Sequence, residues 1–278
     1  MKTLSLALCF VLLPETIWSQ LRVVPEDKPP VAFAGEGRPL RVVFHNSADK
    51  TVAAEIHARL IQTSSATIMR LSEGPWKRVQ VFAGQTIMEF AYLDFPAVKA
   101  ETRFLVQWLE GTNQVIGTTE VLVYPPDLLK ELKPLAGEAE GALGLFDPLN
   151  QLKPLVKNAK VDFVDLADAG LEGFRGKLAI LGPFGSKAQM QEGLAEQIQK
   201  WMRKDVAVVW IQPPPEKRDK LAPSFYMVPG GPGNAVIVQA GLVSNLPENP
   251  QSQLNLLHCA RLALHPEPAR LPYLTSQP

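Results

Sequence analysis

An all-β sandwich followed by an α/β doubly wound, mainly parallel sheet is the fold class this sequence predicts, on three observations. The chain has 278 residues, more than the roughly 100 to 200 of one ordinary domain, so two domains are expected. Up to Tyr124, short runs alternate apolar and polar residues, with turn residues between them; this is strand spacing. Beyond Gly141, continuous apolar runs of strand length alternate with helical periodicity, the order of a parallel sheet with crossover helices.

Residues 1–19 read as an export signal. Met1-Lys2 supplies a charged start, Leu4 to Leu13 an apolar run, Pro14 a breaker and Ser19 a small residue for cleavage. The apolar run falls short of the about 20 residues of a membrane span, so no transmembrane span is expected after cleavage and the chain is expected to be periplasmic or extracellular. Cys9 lies inside the apolar run, which continues past it; a lipidated cysteine would follow that run. With the signal removed, Cys259 is the only cysteine, which excludes an internal disulfide and a cysteine-based metal site. Lysine plus arginine and aspartate plus glutamate both total 28. That balance leaves no field to draw nucleic acid or anionic lipid, so neither is an expected partner.

The first domain is read over 20–126. Its expected strands are Leu40 to Asn46, Ala54 to Ile61, Ala66 to Leu71, Lys77 to Phe82, Thr86 to Phe95, Thr102 to Leu109 and Val115 to Tyr124, with breaks at Gly74-Pro75, Ala83-Gly84, Pro96 and Gly111-Thr112-Asn113. Seven short strands with no helix between them predict an immunoglobulin-like sandwich. Phe104, Val106 and Trp108 share one face of the pleat. Trp76, Phe90, Phe95 and Trp108 are expected to fill the core.

Pro125-Pro126 ends that domain; Asp127 to Leu132 opens a short helix, and 127–141 forms the link. The α/β domain is read over 142–264. Its expected strands are Ala142 to Asp147, Val161 to Leu166, Leu178 to Gly182 and Val206 to Ile211, then a hairpin of Phe225 to Val228 and Asn234 to Ala240 around Pro229-Gly230-Gly231-Pro232-Gly233. Expected helices are Leu149 to Asn158, Ala188 to Lys204 and Pro250 to Leu264. Residues 265–278 form a tail.

The strand–helix order of the second half, the run Gly233-Asn234-Ala235-Val236-Ile237-Val238-Gln239-Ala240-Gly241-Leu242 and the Asn249-Pro250 start of an apolar helix resemble the class I glutamine amidotransferase-like (flavodoxin-like) fold. The resemblance is to the degenerate versions found in exported bacterial proteins. An active member carries a cysteine on a glycine-flanked elbow after the strand matching Val206 to Ile211. Here Gln212-Pro213-Pro214-Pro215 follows that strand, so the resemblance implies a pseudoenzyme without glutaminase activity. Such domains also occur as non-catalytic modules in some glycoside hydrolases, which leaves a carbohydrate-active enzyme or accessory protein as the alternative.

Asp147 follows the first α/β strand, and Asp165 and Asp168 follow the second. Ligands of open α/β sheets bind outside the carboxyl ends of the strands, so these aspartates, with Gly185, Ser186 and Gln212, form the candidate rim. They either hold a cation or a polyol, or cap helices and solubilise loops. Gly182-Pro183-Phe184-Gly185-Ser186-Lys187 lacks phosphate-loop spacing, and Ser186 is expected to cap a helix. No Gly-x-Ser-x-Gly elbow occurs, and His45, His57, His258 and His265 lack the spacing of a helical zinc site. No catalytic residue, metal site or cofactor is therefore expected. The expected function is non-catalytic binding or scaffolding, with a protein partner in the cell envelope or a carbohydrate.

Overall fold

The structure is a computed structural model that describes residues 20–63, 68–190, 192–213, 225–230 and 232–266. The expected export signal with Cys9, part of the run at Ala66, Pro214-Pro215, Gly231 and most of the tail lie outside the described residues. The described chain falls into two compact units, one of residues 20–29, 39–91 and 104–120, the other of 30–38, 92–103 and 121–266.

The amino-terminal strands are β1 (Leu21–Val23), β2 (Val31–Phe33), β3 (Gly35–Asn46), β4 (Val52–Thr63), β5 (Ile68–Val81), β6 (Thr86–Phe95), β7 (Thr102–Glu110) and β8 (Gln114–Tyr124). They form a three-stranded sheet, β1-β3-β6, and a five-stranded sheet, β2-β8-β7-β4-β5. Leu40, Val42 and Phe44 of β3 and Phe104, Val106 and Trp108 of β7 are buried at alternate positions. In the first unit, Trp76 lies 5.1 Å from the Trp108 ring and 6.0 Å from Phe44. The buried Trp108 indole donates to Thr119 Oγ1 at 2.9 Å, which satisfies its polar end.

Two local expectations are corrected. The runs expected on either side of Gly74-Pro75 are one strand, β5, with register shifts that bulge out Leu71 and Trp76. Pro75 lies on an edge strand, the position in a sheet where proline is tolerated. Phe90 is 51% exposed rather than in the core, because on β6 it shares its face with the exposed Met88 and Tyr92 while Ala91 and Phe95 point inward.

The second unit carries β9 (Leu143–Phe146), β10 (Val164–Asp165), β11 (Leu178–Leu181), β12 (Ala207–Gln212), β13 (Phe225–Pro229) and β14 (Asn234–Gln239) in one sheet of order β10-β9-β11-β12-β14-β13. Neighbours run parallel except β13 and β14. The helices are α1 (Leu132–Ala136), α2 (Lys153–Asn158), α3 (Leu166–Ala169), α4 (Leu194–Met202) and α5 (Pro250–Leu264). Strand residues alternate between two cores. Leu143, Leu145, Ile180, Val209 and Val236 join the helical residues Leu132, Val156 and Leu256. Phe146, Ala179, Leu181 and Val208 join Leu194, Ile198 and Trp201. At the end of β11, Gly182 has φ +99°, and a Cβ there would stand 2.6 Å from the Ile211 carbonyl oxygen, so no side chain fits.

The fold class read from the sequence does not stand. Strands make up 44% of the structure against 23% helix, in several mixed sheets that include parallel strands. The five-stranded sheet holds the parallel pair β2–β8, so it is mixed rather than purely antiparallel. In the six-stranded sheet, β10 has two residues, and the segments joining β9, β10 and β11 carry helices of only six and four. Such pieces do not make the continuous helical layers of a doubly wound sheet. The single helix expected from Ala188 to Lys204 is a 3-10 turn at Lys187–Gln189 followed by α4, with Gly193 between them at φ +79°. No helix among the described residues is long and apolar enough to cross a membrane.

Candidate functional site

The candidate rim lies at the carboxyl ends of β9, β10, β11 and β12. Asp147, immediately after β9, is 3% exposed, and its Oδ2 accepts from the amides of Leu152 at 2.6 Å and Lys153 at 2.9 Å. Those amides open α2, where the helix has no internal partners for them. Asp165 caps α3 by accepting from the Ala167 amide at 3.0 Å, and its Oδ2 lies 2.6 Å from Lys153 Nζ. Burial disfavours the Asp165 anion, but the Lys153 hydrogen bond, the backbone amides and the lysine charge outweigh it and hold the carboxyl below its ordinary value.

The structure therefore brings Asp147 and Asp165 together through one residue that the sequence reading did not single out. Lys153 gives its amide to the first aspartate and its ammonium to the second. The only signal for it was a lysine at the start of the helix that follows Asp147. An acid and a nucleophile for sugar chemistry must face a shared bond about 5 to 10 Å apart. Asp147 faces backbone amides and Asp165 faces a lysine, so neither is poised for that work.

The other rim residues do not join them. Asp168 is exposed in the first turn of α3. The Gly185 amide donates to Gln189 Oε1 at 2.6 Å. Ser186 stands at the N-cap of the 187–189 turn, but its hydroxyl makes no capping bond. Gln212, half-buried, ends β12 opposite Gln239 of β14.

The remaining chemistry-bearing side chains are held in structural roles. Cys259 is fully buried, and burial pushes its thiol up to about 12, so the reactive thiolate is scarce near neutrality. Burial, and then the charge of Arg261, lower the pKa of His258. His45 Nδ1 lies 3.0 Å from Thr86 Oγ1. Among the described residues no group of three or more His, Cys, Asp or Glu is placed to hold a metal ion.

Hollows also lie away from the rim. A cavity of about 760 Å³ at the amino ends of β9 and β10 is lined by Lys133, Lys157, Glu138, Glu140 and Asp162 among others, a mixture of both charges. A groove of about 430 Å³ runs between α4 and the β13–β14 pair. The sequence reading anticipated neither, because each depends on how neighbouring strands and helices pack rather than on a local motif.

No family model and no curated protein matches this sequence. Among solved structures, the chain is similar to the Pseudomonas fluorescens alkylpurine DNA glycosylase AlkC at 14% identity, over 38% of this chain and 30% of that one, with a TM-score of 0.29. Similarity to a Listeria innocua beta-glucosidase has 16% identity, 37% and 16% coverage and a TM-score of 0.27. For the Bacillus subtilis sporulation control protein Spo0M the values are 10%, 42% and 56%, and 0.29. The chain thus spans between about a sixth and just over half the length of these proteins. Likenesses this low in score and identity assign it neither a fold nor an activity.

Proposed function

We propose that this chain is a non-catalytic, exported binding or scaffold protein whose partner is another protein of the cell envelope. The observation that supports this reading most directly is the engagement of Asp147 and Asp165. The carboxylates best placed for chemistry at the strand ends cap α2 and α3, and Lys153 joins them. The export-signal pattern read in residues 1–19 and the Gln212-Pro213-Pro214-Pro215 run after β12, in place of a cysteine elbow, support the same reading. Exposed apolar residues on strands, among them Met88, Phe90, Tyr92, Tyr226 and Val228, are the kind of surface that protein partners cover.

The test is capture of a partner by the tagged, signal-free chain from an envelope extract after mild crosslinking. A protein recovered in near-stoichiometric amount is expected, together with no thermal shift from sugars, nucleotides or divalent cations. A sugar or cation that raises the melting temperature of the wild type but not of Asp168→Asn would sink this reading in favour of a ligand-binding rim.

A further inference from the structure

We propose that β6 pairs with β6 of a second copy of this chain, antiparallel and about a two-fold axis at Phe90, so that the three-stranded sheet continues across a dimer interface. The inference goes beyond the binding-protein reading above and does not depend on it.

A sheet edge leaves a row of backbone N–H and C=O groups unpaired, and proteins blunt such edges with short strands, proline, bulges or charge. Six strands lie at the edges of the three sheets among the described residues: β1 and β6, β2 and β5, β10 and β13. Five of them are blunted. β1 and β2 have three residues each, and β10 has two. β13 has five and ends in Pro229. β5 is long, but it carries Pro75, two register shifts and the charged Arg70, Glu73, Lys77 and Arg78.

β6 is the exception. Its ten residues include no proline, lysine or arginine. Both of its acids are engaged within the chain. Glu89 lies 2.7 Å from Lys77 Nζ, and Asp94 Oδ1 accepts from the Gly37 amide at 2.7 Å. Met88, Phe90 and Tyr92 alternate along one face of the strand, and each is more than half exposed. An open backbone ladder thus coincides with an open apolar row, a combination that only another strand covers in full.

Register selects a second copy as that strand. About an axis at Phe90, Phe90 faces Phe90 of the second copy, and Met88 faces Tyr92 on either side of it. Six large apolar side chains then form one continuous row of cross-strand pairs, the contacts that stabilise a sheet. Glu89 faces Ala91 and Asp94 faces Thr86 in the same register, so no like charges meet. An axis at Glu89 would set two carboxylates opposite each other, which destabilises the pair. An axis at Ala91 would set Met88 against Asp94. The strand is therefore its own complement in one register, and a two-fold pair uses up both open edges and closes.

Sedimentation of the full chain tests this. A dimer is expected at submillimolar concentration. Phe90→Glu and Phe90→Lys each bring like charges together at the axis and should weaken dimerisation at least about tenfold. Each variant should still melt cooperatively, because the substituted side chain is half exposed. An equimolar mixture of the two variants should recover a dimer, since opposite charges then meet at the axis.

A wild type that stays monomeric would overturn the proposal, as would a dimer that neither variant weakens. So would a mixture that associates no better than its components, which would place residue 90 away from the axis. Assembly that grows past the dimer with concentration would also overturn it, since a closed edge pair leaves β6 nothing further to bind.

Discussion

Helices α4 and α5 cover opposite faces of the same six-stranded sheet and do so by different means. On α4, Leu194, Ile198, Trp201 and Met202 form one buried stripe, with Gln197 beside it, and the rest of the helix faces outward. α5 is buried on most of its circumference, including Ser252, Gln253 and Asn255. Those three donate to the carbonyls of Ser244 at 2.6 Å, Leu246 at 2.8 Å and Leu242 at 2.8 Å. The chain leaving β14 is thereby tied to the helix that follows it. Burying a polar group costs free energy unless it is bonded. These three donors are bonded, while Gln253 Oε1 and His258 Nε2 on the same helix are buried without a partner among the described residues, so α5 is sealed on a face that still carries that cost. The simple stripe of α4 borders an open groove.

The sharpest test of that contrast removes one buried aliphatic side chain from each helix. Leu256→Ala, at a fully buried position of α5, should cost about 4 kcal/mol, because a sealed site leaves its cavity unfilled. Ile198→Ala on α4 is expected to cost about 2 kcal/mol, since Ile198 also borders the groove and its surroundings can relax. Urea unfolding of both variants measures the difference, and equal losses would break the distinction between the two faces.

A smaller effect is expected from the polar clamp. Asn255→Ala leaves the Leu242 carbonyl without its side-chain donor and should destabilise by about 1 to 3 kcal/mol. The outward-facing Gln199→Ala on α4 should stay within about 0.5 kcal/mol of wild type. If both variants melted alike, the clamp would be incidental to the stability of α5.

The same two helices show what the sequence made legible. The bounds of α5 follow from Asn249, whose Oδ1 accepts from the Gln251 amide at 3.0 Å, and from Pro250 at the first helical position. Those are local signals, and so are the continuous apolar runs that became β9, β11 and β12. Gly193, in the left-handed region, is a local signal too, but the apolar spacing of 188–204 masks it, so the sequence places the start of α4 too early. Pairing is not local. Nothing in Val31–Phe33 announces a parallel partner in β8, and nothing in the neighbourhood of Gly74-Pro75 shows that β5 is an edge strand able to run through it. The candidate rim was legible as to residues and not as to role. The positions of Asp147 and Asp165 followed from the strand ends, whereas the reach of Lys153 between them depended on how α2 folds back.

The smallest predicted effect returns to that lysine and separates charge from capping. Asn caps a helix as well as Asp does, so Asp165→Asn keeps an oxygen for the Ala167 amide and deletes mainly the attraction to Lys153. The folded-state pKa of Asp165 is lowered. Its ionic contribution is therefore present above the unfolded value of about 3.9 and is lost as pH falls through the folded value. Wild type should exceed Asp165→Asn by about 0.5 to 1 kcal/mol near pH 6, the range of a partly exposed ion pair, and the two should converge once the pH has fallen through the lowered folded-state value. Urea midpoints across that range read the difference directly. A gap that persisted at low pH would mean that the aspartate acts through its cap and that the Lys153 bridge adds nothing to the fold.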